Sequence, residues 1–289
     1  MLVLFADSDS DITKQNAKEL GLKLISMPYS IDGQEVYPYE TWDEFDYKPF
    51  YAKLRNGTIP KTSGLSPEKY MSYFEPEFQA GNDILYIHFS AAMSGTFNSM
   101  HIAIEELQDK YPDRKVYLID AKGITINSYF TVKKVVEKYR EGLSAEELVA
   151  YGTELAEHVA TYFFTDTLDF FKHSGRISNF SAIMGGLIGI KPIIYMSQEG
   201  VMTSVSKAKG RSGAVKKLVD YAVELGDHVK DWPVIIGHSD NIELATQVGN
   251  LMKEKFGQDL EIEYVIVNPT AGSHCGPDGI GLCFHAIHR

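Results

Sequence analysis

Short apolar runs alternate along the chain with longer segments of helical periodicity. The run from Asp83 to Phe89 is apolar, β-branched and aromatic, which predicts a buried strand. In the segment that follows, Ile104 and Leu107 lie three positions apart on one face of a predicted helix. The same alternation recurs through the first half of the chain, so the sequence predicts an α/β fold with a largely parallel sheet.

The apolar pattern places further elements along the rest of the chain. It predicts strands at residues 2–6, 22–31, 115–119, 160–164, 190–196, 201–205, 234–237, 261–267 and 282–286. It predicts helices that end at Gly21 or cover residues 42–55, 67–80, 126–140, 144–159, 214–229 and 241–256. Because the pattern changes to an aromatic cluster near residue 161, we expect two α/β domains with mixed and parallel sheets, at residues 1–160 and 161–289.

The hydroxyl-rich stretch Ser94-Gly95-Thr96-Phe97-Asn98-Ser99 lies at the turn from a predicted strand to a predicted helix. Free backbone N–H groups and the helix dipole favour a negative charge at such a turn. Gly95 lets a ligand approach the main chain closely. Two interpretations stay open: the stretch seats a small anion, or Ser94 or Thr96 merely caps the helix.

Composition excludes several classes of function. The chain carries 28 Lys and Arg residues against 39 Asp and Glu, a net charge of -11, which argues against nucleic acid or an anionic membrane as a partner. Its two cysteines, Cys275 and Cys283, cannot form a disulfide framework or a four-ligand zinc site. No apolar run has the length of a membrane span, and the first residues predict a strand, not a signal peptide, so we expect a cytoplasmic protein.

The acidic run Asp7-Ser8-Asp9-Ser10-Asp11 follows the first predicted strand. A calcium loop of this type would need glycine where Ile12 stands and glutamate where Lys18 stands. An aspartyl-nucleophile phosphatase would use Asp7 and Asp9, but the only matching acidic pair, near residues 227–231, ends a predicted helix instead of following a strand. Turn and helix-cap carboxylates are therefore the favoured interpretation.

Nucleotide-binding and hydrolase motifs are missing from the sequence. It contains no Gly-Lys pair and hence no Walker A loop, and residues 185–189 do not form GxGxxG. The residues around Ser94 do not form GxSxG, and no HExxH occurs. The sequence therefore predicts a chain that binds no nucleotide through a standard loop.

Three hydroxyl or imidazole motifs remain: Thr62-Ser63, Ser94-Gly95-Thr96 and His274 before Gly276-Pro277. Together with Asp7-Ser8-Asp9, Gly175-Arg176-Ile177-Ser178 and Ile190-Lys191-Pro192-Ile193, they occur in the order typical of the DegV family. The chain resembles that family over its full length. It departs from the family where Gly64-Leu65-Ser66 replaces the frequent Gln-Pro-Ser, and where Phe97 replaces a common tyrosine.

The resemblance implies a fatty-acid-binding subunit of a bacterial fatty acid kinase. Such a subunit binds one long-chain fatty acid and presents its carboxylate to an ATP-binding partner, which forms the acyl phosphate. The resemblance implies no catalytic residue, metal or cofactor in the chain itself, and it places the ligand at the domain junction. The implied carboxylate-binding residues are Thr62, Ser63, Ser94, Gly95 and His274.

The implied acyl tail would lie in an apolar slot, and two cations would face the partner. The residues expected to line the slot are Phe163, Phe170, Ile183, Met184 and Leu187. The cations expected to contact the kinase partner are Arg176 and Arg211. A hydrolase or acyltransferase that uses Ser94 with His274 is the alternative, although the sequence identifies no acidic third member for it.

Overall fold

The computed structural model describes residues 1–178 and 189–289. Its strands form a four-stranded parallel sheet in the first half, a seven-stranded mixed sheet in the second half, and a small three-stranded antiparallel sheet. The strands are β1 Leu2–Asp7, β2 Lys23–Ile25, β3 Tyr29–Ile31, β4 Gln34–Val36, β5 Lys61–Thr62, β6 Asp83–His88, β7 Val116–Asp120, β8 Val159–Phe164, β9 Ile177–Ser178, β10 Ile190–Met196, β11 Met202–Lys209, β12 Val234–His238, β13 Ile262–Ile266 and β14 Ile280–His285. The predicted α/β class with parallel and mixed sheets is confirmed.

Helices cover the faces of both large sheets. They are α1 Lys14–Leu20, α2 Tyr47–Arg55, α3 Pro67–Gln79, α4 Thr96–Lys110, α5 Ile126–Arg140, α6 Ala145–Ala156, α7 Asp169–Ser174, α8 Gly210–Leu225, α9 Ile242–Phe256 and α10 Pro269–Cys275. Across the described ranges, none of these helices combines the length and apolarity that crossing a bilayer requires.

The acidic run and the Ser94 turn meet at one edge of the first sheet. β1 and β6 pair in parallel, with Leu2 opposite Asp83, so their carboxyl ends lie side by side. The acidic run follows β1 and the Ser94 turn follows β6. Ligands of open α/β sheets bind outside the carboxyl ends of the strands, and this edge is therefore the expected place for a site.

Helix α5 packs between the two large sheets. Its residues Ile126 and Phe130 share one buried cluster with Leu4 of β1 and with Ile235 of β12. Opposite α5, a side chain at Gly237 would place its Cβ only 2.8 Å from the Cγ2 atom of Ile126. The absence of a side chain at this position thus lets the helix approach the second sheet closely.

Two of the predicted elements differ from the structure close to a proline. The predicted strand 22–31 is two strands in different sheets, β2 and β3, with Pro28 between them. The predicted helix 42–55 begins only at Tyr47, so Pro49 lies in its first turn, where a missing N–H costs no helical hydrogen bond. The predicted boundary at residue 160 stays a prediction, and β8 runs across it.

Candidate functional site

Thr62 and His274 meet at the junction of the two halves. The Oγ1 atom of Thr62 lies 2.9 Å from Nε2 of His274. Thr62 ends strand β5, where it pairs with Tyr29 of β3, so it is not the free loop residue that its sequence suggested. His274 lies in the last turn of α10, a helix that was not predicted in this glycine-rich segment. The contact therefore depends on two short elements that local periodicity does not reveal.

Asn268 fixes the helix that carries His274. Its side-chain oxygen caps α10 by accepting the N–H of Ala271 at 2.9 Å. Its backbone N–H and its side-chain Nδ2 each donate to Asp11 Oδ1 at 2.8 Å. Nearby, the Tyr51 hydroxyl donates to the Val267 carbonyl oxygen at 2.9 Å. Asp11 and Tyr51 thus tie the start of α10 to the first half of the chain.

Thr96 locks the Thr62 segment onto the Ser94 turn. Its Oγ1 accepts the backbone N–H of Leu65 at 2.9 Å and lies 3.1 Å from the Tyr70 hydroxyl. Gly64 passes so close that a Cβ there would lie 3.2 Å from the Cα of Thr96. Thr96 is buried and its hydroxyl is engaged by Leu65 and Tyr70, so its role is to support the Ser94 turn.

Ser94 keeps a donor for a ligand. Its Oγ accepts the backbone N–H of Thr96 at 3.2 Å, while its hydroxyl hydrogen takes no part in that bond. Gly95 is the N-cap residue of α4 and caps it with no side chain. Ser94 Oγ holds the Thr96 N–H and the Gly95 carbonyl oxygen holds the Asn98 N–H at 3.1 Å, so among the described residues the N–H groups of Gly95 and Phe97 stay free beside the Ser94 hydroxyl.

These residues surround a polar pocket. All five predicted carboxylate-binding residues line it, and both halves of the chain contribute. Its walls consist of Asp9, Met27, Thr62, Ser63, Gly64, Leu65, Phe89, Met93, Ser94, Gly95, Thr96, Ser99, Ile124, Arg176, Thr270 and His274. Ser63 stands at the exposed side, where its hydroxyl donates to Glu35 Oε1 at 3.3 Å.

His274 is neutral in this pocket. Burial, and then the positive charge of Arg176, lowers the pKa of His274 to about 4. A neutral imidazole carries one N–H and one acceptor nitrogen, so His274 and Thr62 can arrange their hydrogens to leave one donor for a ligand. The Arg176 side chain is exposed at the pocket, and one of its N–H groups donates to the carbonyl oxygen of Ser174.

An apolar cavity continues from the polar pocket. Met93, Ile124 and His274 line both spaces, so the two adjoin each other. The cavity leaves about 660 Å³ free of protein atoms. Its other walls are Thr125, Ile126, Thr161, Phe163, Phe164, Thr165, Phe171, Met196, Met202, Gly237, Ser239, Val267, Ala271, Cys275, Gly279, Ile280 and Gly281.

The structure distributes the predicted tail residues differently. Phe163 lines the apolar cavity, whereas Phe170 packs in a separate cluster with Tyr29, Phe50, Tyr51 and Leu54. Its neighbour Phe171 lines the cavity instead, because successive residues of a helix point about 100° apart. The other three predicted positions, Ile183, Met184 and Leu187, lie outside the described residues.

The two predicted partner cations occupy different surroundings. Arg176 lines the polar pocket. Arg211, at the start of α8, forms a forked pair with Asp166, with Nε 3.0 Å from Oδ1, and lies 4.0 Å from Asp278. Arg211 is thus held in an ion-pair network within the chain, while Arg176 faces the space that a ligand head group would occupy.

The competing catalytic interpretations find little geometric support. Asp7 accepts hydrogen bonds from Phe89 N and Tyr86 Oη, both at 3.0 Å, which is a turn-stabilising arrangement. Within residues 1–178 and 189–289, no group of three or more His, Cys, Asp or Glu side chains is placed to hold a metal ion. The Nε2 atom of His274, which would activate a Ser94 nucleophile, is engaged with Thr62.

Comparison with known proteins decides the family. A family model described as "Uncharacterised protein, DegV family" matches residues 1–286. The chain belongs to the DegV family. A DegV domain-containing protein of Clostridium perfringens is 33% identical over 283 residues, which cover 98% of this chain and 96% of that protein.

Two solved structures share the fold of this DegV family protein. One, described as showing fatty acid binding of a DegV family protein from Thermus thermophilus, has a TM-score of 0.86 at 23% identity and covers 99% of both chains. The other, the Streptococcus pneumoniae fatty acid kinase (Fak) B3 protein loaded with linoleic acid, has a TM-score of 0.83 at 20% identity and also covers 99% of both. The predicted family is confirmed.

Sequence reasoning missed several residues of the site in this DegV family protein. Among the described residues, the glycines of the cavity wall are Gly237, Gly279 and Gly281, at strand positions or next to them. Thr270 and Asp9 also line the polar pocket. Asn268 before Pro269 is a helix-start signal that would have revealed α10 and brought Thr270 into consideration.

Proposed function

We propose that this protein binds one long-chain fatty acid and presents its carboxylate to an ATP-dependent kinase partner. The observation that carries the proposal is the polar pocket that adjoins an apolar cavity, with His274 on the wall of both. A fatty acid has the same division into a charged head and an apolar tail. The relatives whose solved structures are named for bound fatty acids share this fold.

The polar pocket suits a carboxylate. A carboxylate accepts hydrogen bonds at about four lone-pair sites and donates none. The Ser94 hydroxyl, the Gly95 N–H at the start of α4 and one hydrogen from the pair of Thr62 and His274 supply donors on the pocket wall. The dipole of α4, a helix of 15 residues, adds positive potential at the same place.

The apolar cavity supplies most of the affinity. Burial of roughly a dozen methylene groups at ~0.8 kcal/mol each gives on the order of 10 kcal/mol before the costs of immobilisation. A neutral hydrogen bond contributes about 0.5–1.5 kcal/mol. The tail therefore sets how tightly a fatty acid binds, and the head-group residues set its orientation.

Transfer of a phosphoryl group requires a partner in this proposal. The sequence carries no phosphate-binding loop, and one relative with this fold is named as a fatty acid kinase protein. Arg176 stands exposed at the pocket that holds the carboxylate, where a guanidinium suits an arriving phosphate. Arg211 remains a candidate for contact with the acidic surface of the partner, although Asp166 and Asp278 compete for it.

A reconstituted assay with an ATP-binding fatty acid kinase subunit tests the proposal. Acyl phosphate should form only when both proteins, ATP and a fatty acid are present. Arg176→Ala should lower the yield strongly and Arg211→Ala, outside the pocket, should lower it less, while fatty acid affinity stays nearly unchanged in both variants. Acyl phosphate formed by this chain and ATP alone would contradict the proposal that a separate partner transfers the phosphoryl group. An unchanged yield in either variant would show that the substituted arginine has no part in that transfer.

A further inference from the structure

Asp9 is a buried carboxyl on the wall of the polar pocket. Its residue is only 4% exposed, and it lines the same space as Thr62, Ser94 and His274. Within the part of the chain that the structure describes, no donor reaches its Oδ1 atom. A buried carboxylate oxygen without a donor is costly, so its position beside a ligand pocket calls for a chemical explanation.

The neighbouring carboxyls of the acidic run are better compensated. Asp7 accepts a backbone N–H from Phe89 and the Tyr86 hydroxyl, and Asp11 accepts two hydrogen bonds from Asn268. Among the residues that the structure describes, the hydroxyl of Thr270 is the one donor beside the Asp9 carboxyl. That hydroxyl carries a single hydrogen, which it also donates to the Met27 carbonyl oxygen at 3.0 Å.

The charges around Asp9 oppose its ionisation. The titratable and charged groups that face it are Asp7 and Asp11 from its own turn, Tyr70 from α3, Tyr86 from β6, and Arg176 and His274 across the pocket. Burial, and then the negative charges of Asp7 and Asp11, raises the pKa of Asp9 well above its ordinary value. His274 is neutral, so it adds no positive charge to offset them.

We propose that Asp9 is a further head-group residue, whose protonated carboxyl lies against the carboxylate of the bound fatty acid so that one proton is shared by the two acids. This inference rests on the proposed function. Two ionised carboxyls in contact at a buried position repel each other strongly, whereas a protonated one adds an O–H donor to the seat formed by Ser94 and Thr62. The ligand keeps its negative charge in the pair, and no covalent bond to carbon forms or breaks.

The proposal predicts that the affinity for a fatty acid depends on pH, because the ligand carries a negative charge. The test measures how well laurate displaces a fluorescent fatty acid from wild type and from Asp9→Asn, at pH values between about 6 and about 9.5. In wild type, the affinity for laurate falls about tenfold per pH unit once pH exceeds the pKa of Asp9, because ionised Asp9 repels the carboxylate. Asp9→Asn, which keeps a neutral donor, has a flat profile and stays within about threefold of wild type at pH 6.

Methyl laurate is the matched control ligand. It carries no charge, so ionised Asp9 does not repel it, and its affinity for wild type falls much less with pH than that of laurate. Parallel laurate profiles for wild type and Asp9→Asn would overturn the role of Asp9 and leave fatty acid binding intact. A variant that binds laurate more than about tenfold tighter than wild type at pH 6 would show that Asp9 is ionised, and would also overturn it. Failure of wild type to bind laurate at any pH would contradict the proposed function as well.

An infrared measurement on the wild-type protein covers the case in which Asp9→Asn does not fold. Laurate labelled with ¹³C at its carboxyl separates the ligand's bands from those of the protein. Binding should shift an unlabelled band of a protonated carboxyl, because the Asp9 O–H acquires a new acceptor. A difference spectrum with no change in any unlabelled protonated-carboxyl band would overturn the proposal.

Discussion

The imidazole of His274 and the hydroxyl of Thr62 are 2.9 Å apart across the junction of the two halves. Neither residue depends on a ligand for its position, because β5 holds Thr62 and the Asn268-capped helix holds His274. The donors of the head-group seat are therefore arranged before a fatty acid arrives, and ordering them adds no cost to binding.

Removal of the Thr62 hydroxyl should weaken fatty acid binding. Thr62→Val keeps the shape of the side chain but leaves His274 and the ligand carboxylate each short of a partner. The loss of about 1–3 kcal/mol for an unsatisfied buried group corresponds to about a five- to 150-fold lower affinity. Thr246→Val is the matched control, since the exposed Thr246 hydroxyl lies on α9 outside the pocket and donates to the Ile242 carbonyl oxygen at 2.8 Å. Displacement titrations measure both, and an equal loss in the two variants would contradict the central place of Thr62.

Substitutions of Thr96 and Ser94 should have different effects, the first on stability and the second on fatty acid binding. Thr96→Val leaves the Leu65 N–H and the Tyr70 hydroxyl without their buried partner, so the free energy of unfolding should fall by about 2 kcal/mol or more. Ser94→Ala should lower fatty acid affinity by about 1–3 kcal/mol while unfolding changes little. Chemical denaturation and displacement titration test the pair. A Ser94→Ala protein that loses stability but not affinity would make Ser94 only a helix cap.

Helices and strands could be predicted where one stretch of sequence contains both their hydrophobic periodicity and their caps. Helix α5 covers the predicted residues, and Ser66 caps α3 with Pro67 in its first turn as the sequence indicated. Parallel pairing of β1 and β6 also follows from the alternation of strands and helices. These elements carry their own periodicity and caps, so one stretch of chain suffices to identify each.

The tail cavity could not be predicted, because its walls come from strand positions distant in sequence. Gly237 and Gly281 face Ile126 only after β12 and β14 pair in the second sheet. Phe170 and Phe171 are equivalent in composition, and only the rotation of α7 decides which of them lines the cavity. The head-group residues were found from the resemblance, whereas Asp9 appeared only when its burial was known.

The acidic run should make the protein less stable as pH rises toward neutrality. Burial raises the pKa of Asp11 from 3.8 to about 7, although hydrogen bonds from Asn268 oppose the shift. Between these values the folded chain keeps a proton that the unfolded chain has lost, so the free energy of unfolding falls as pH rises, by at most about 1.4 kcal/mol per pH unit. Asp11→Asn should reduce this slope.

Urea denaturation between about pH 4 and about pH 8 measures the slope. Asp7, whose pKa burial raises to about 6, and Asp9, whose pKa burial raises well above its ordinary value, contribute in the same direction and remain in the variant. Asp113→Asn changes an exposed carboxyl and should leave the slope as in wild type. If Asp11→Asn behaves like Asp113→Asn, Asp11 does not hold a proton in the folded protein near neutral pH.

A methyl group added to the cavity wall should shorten the accepted tail. The Cβ of Gly281→Ala would lie 3.1 Å from the Ile126 Cδ1 atom and 3.5 Å from the Phe163 Cβ atom. We expect the variant to lose affinity for long acids more than for short ones, in a displacement series of increasing chain length. Gly213→Ala, on α8 with only an ordinary contact to Ala208, is the matched glycine control. A parallel loss for every chain length would contradict placement of the tail in this cavity.

Native mass spectrometry of the protein purified from bacterial cells without detergent tests the central claim most directly. The account predicts a mass excess equal to one long-chain fatty acid per chain, which added oleate replaces at a lower concentration than added methyl oleate does, because a carboxylate accepts stronger hydrogen bonds from Thr62, Ser94 and His274 than an ester does. A ligand-free chain that takes up no oleate, or one that takes up the acid and the ester equally, would contradict it.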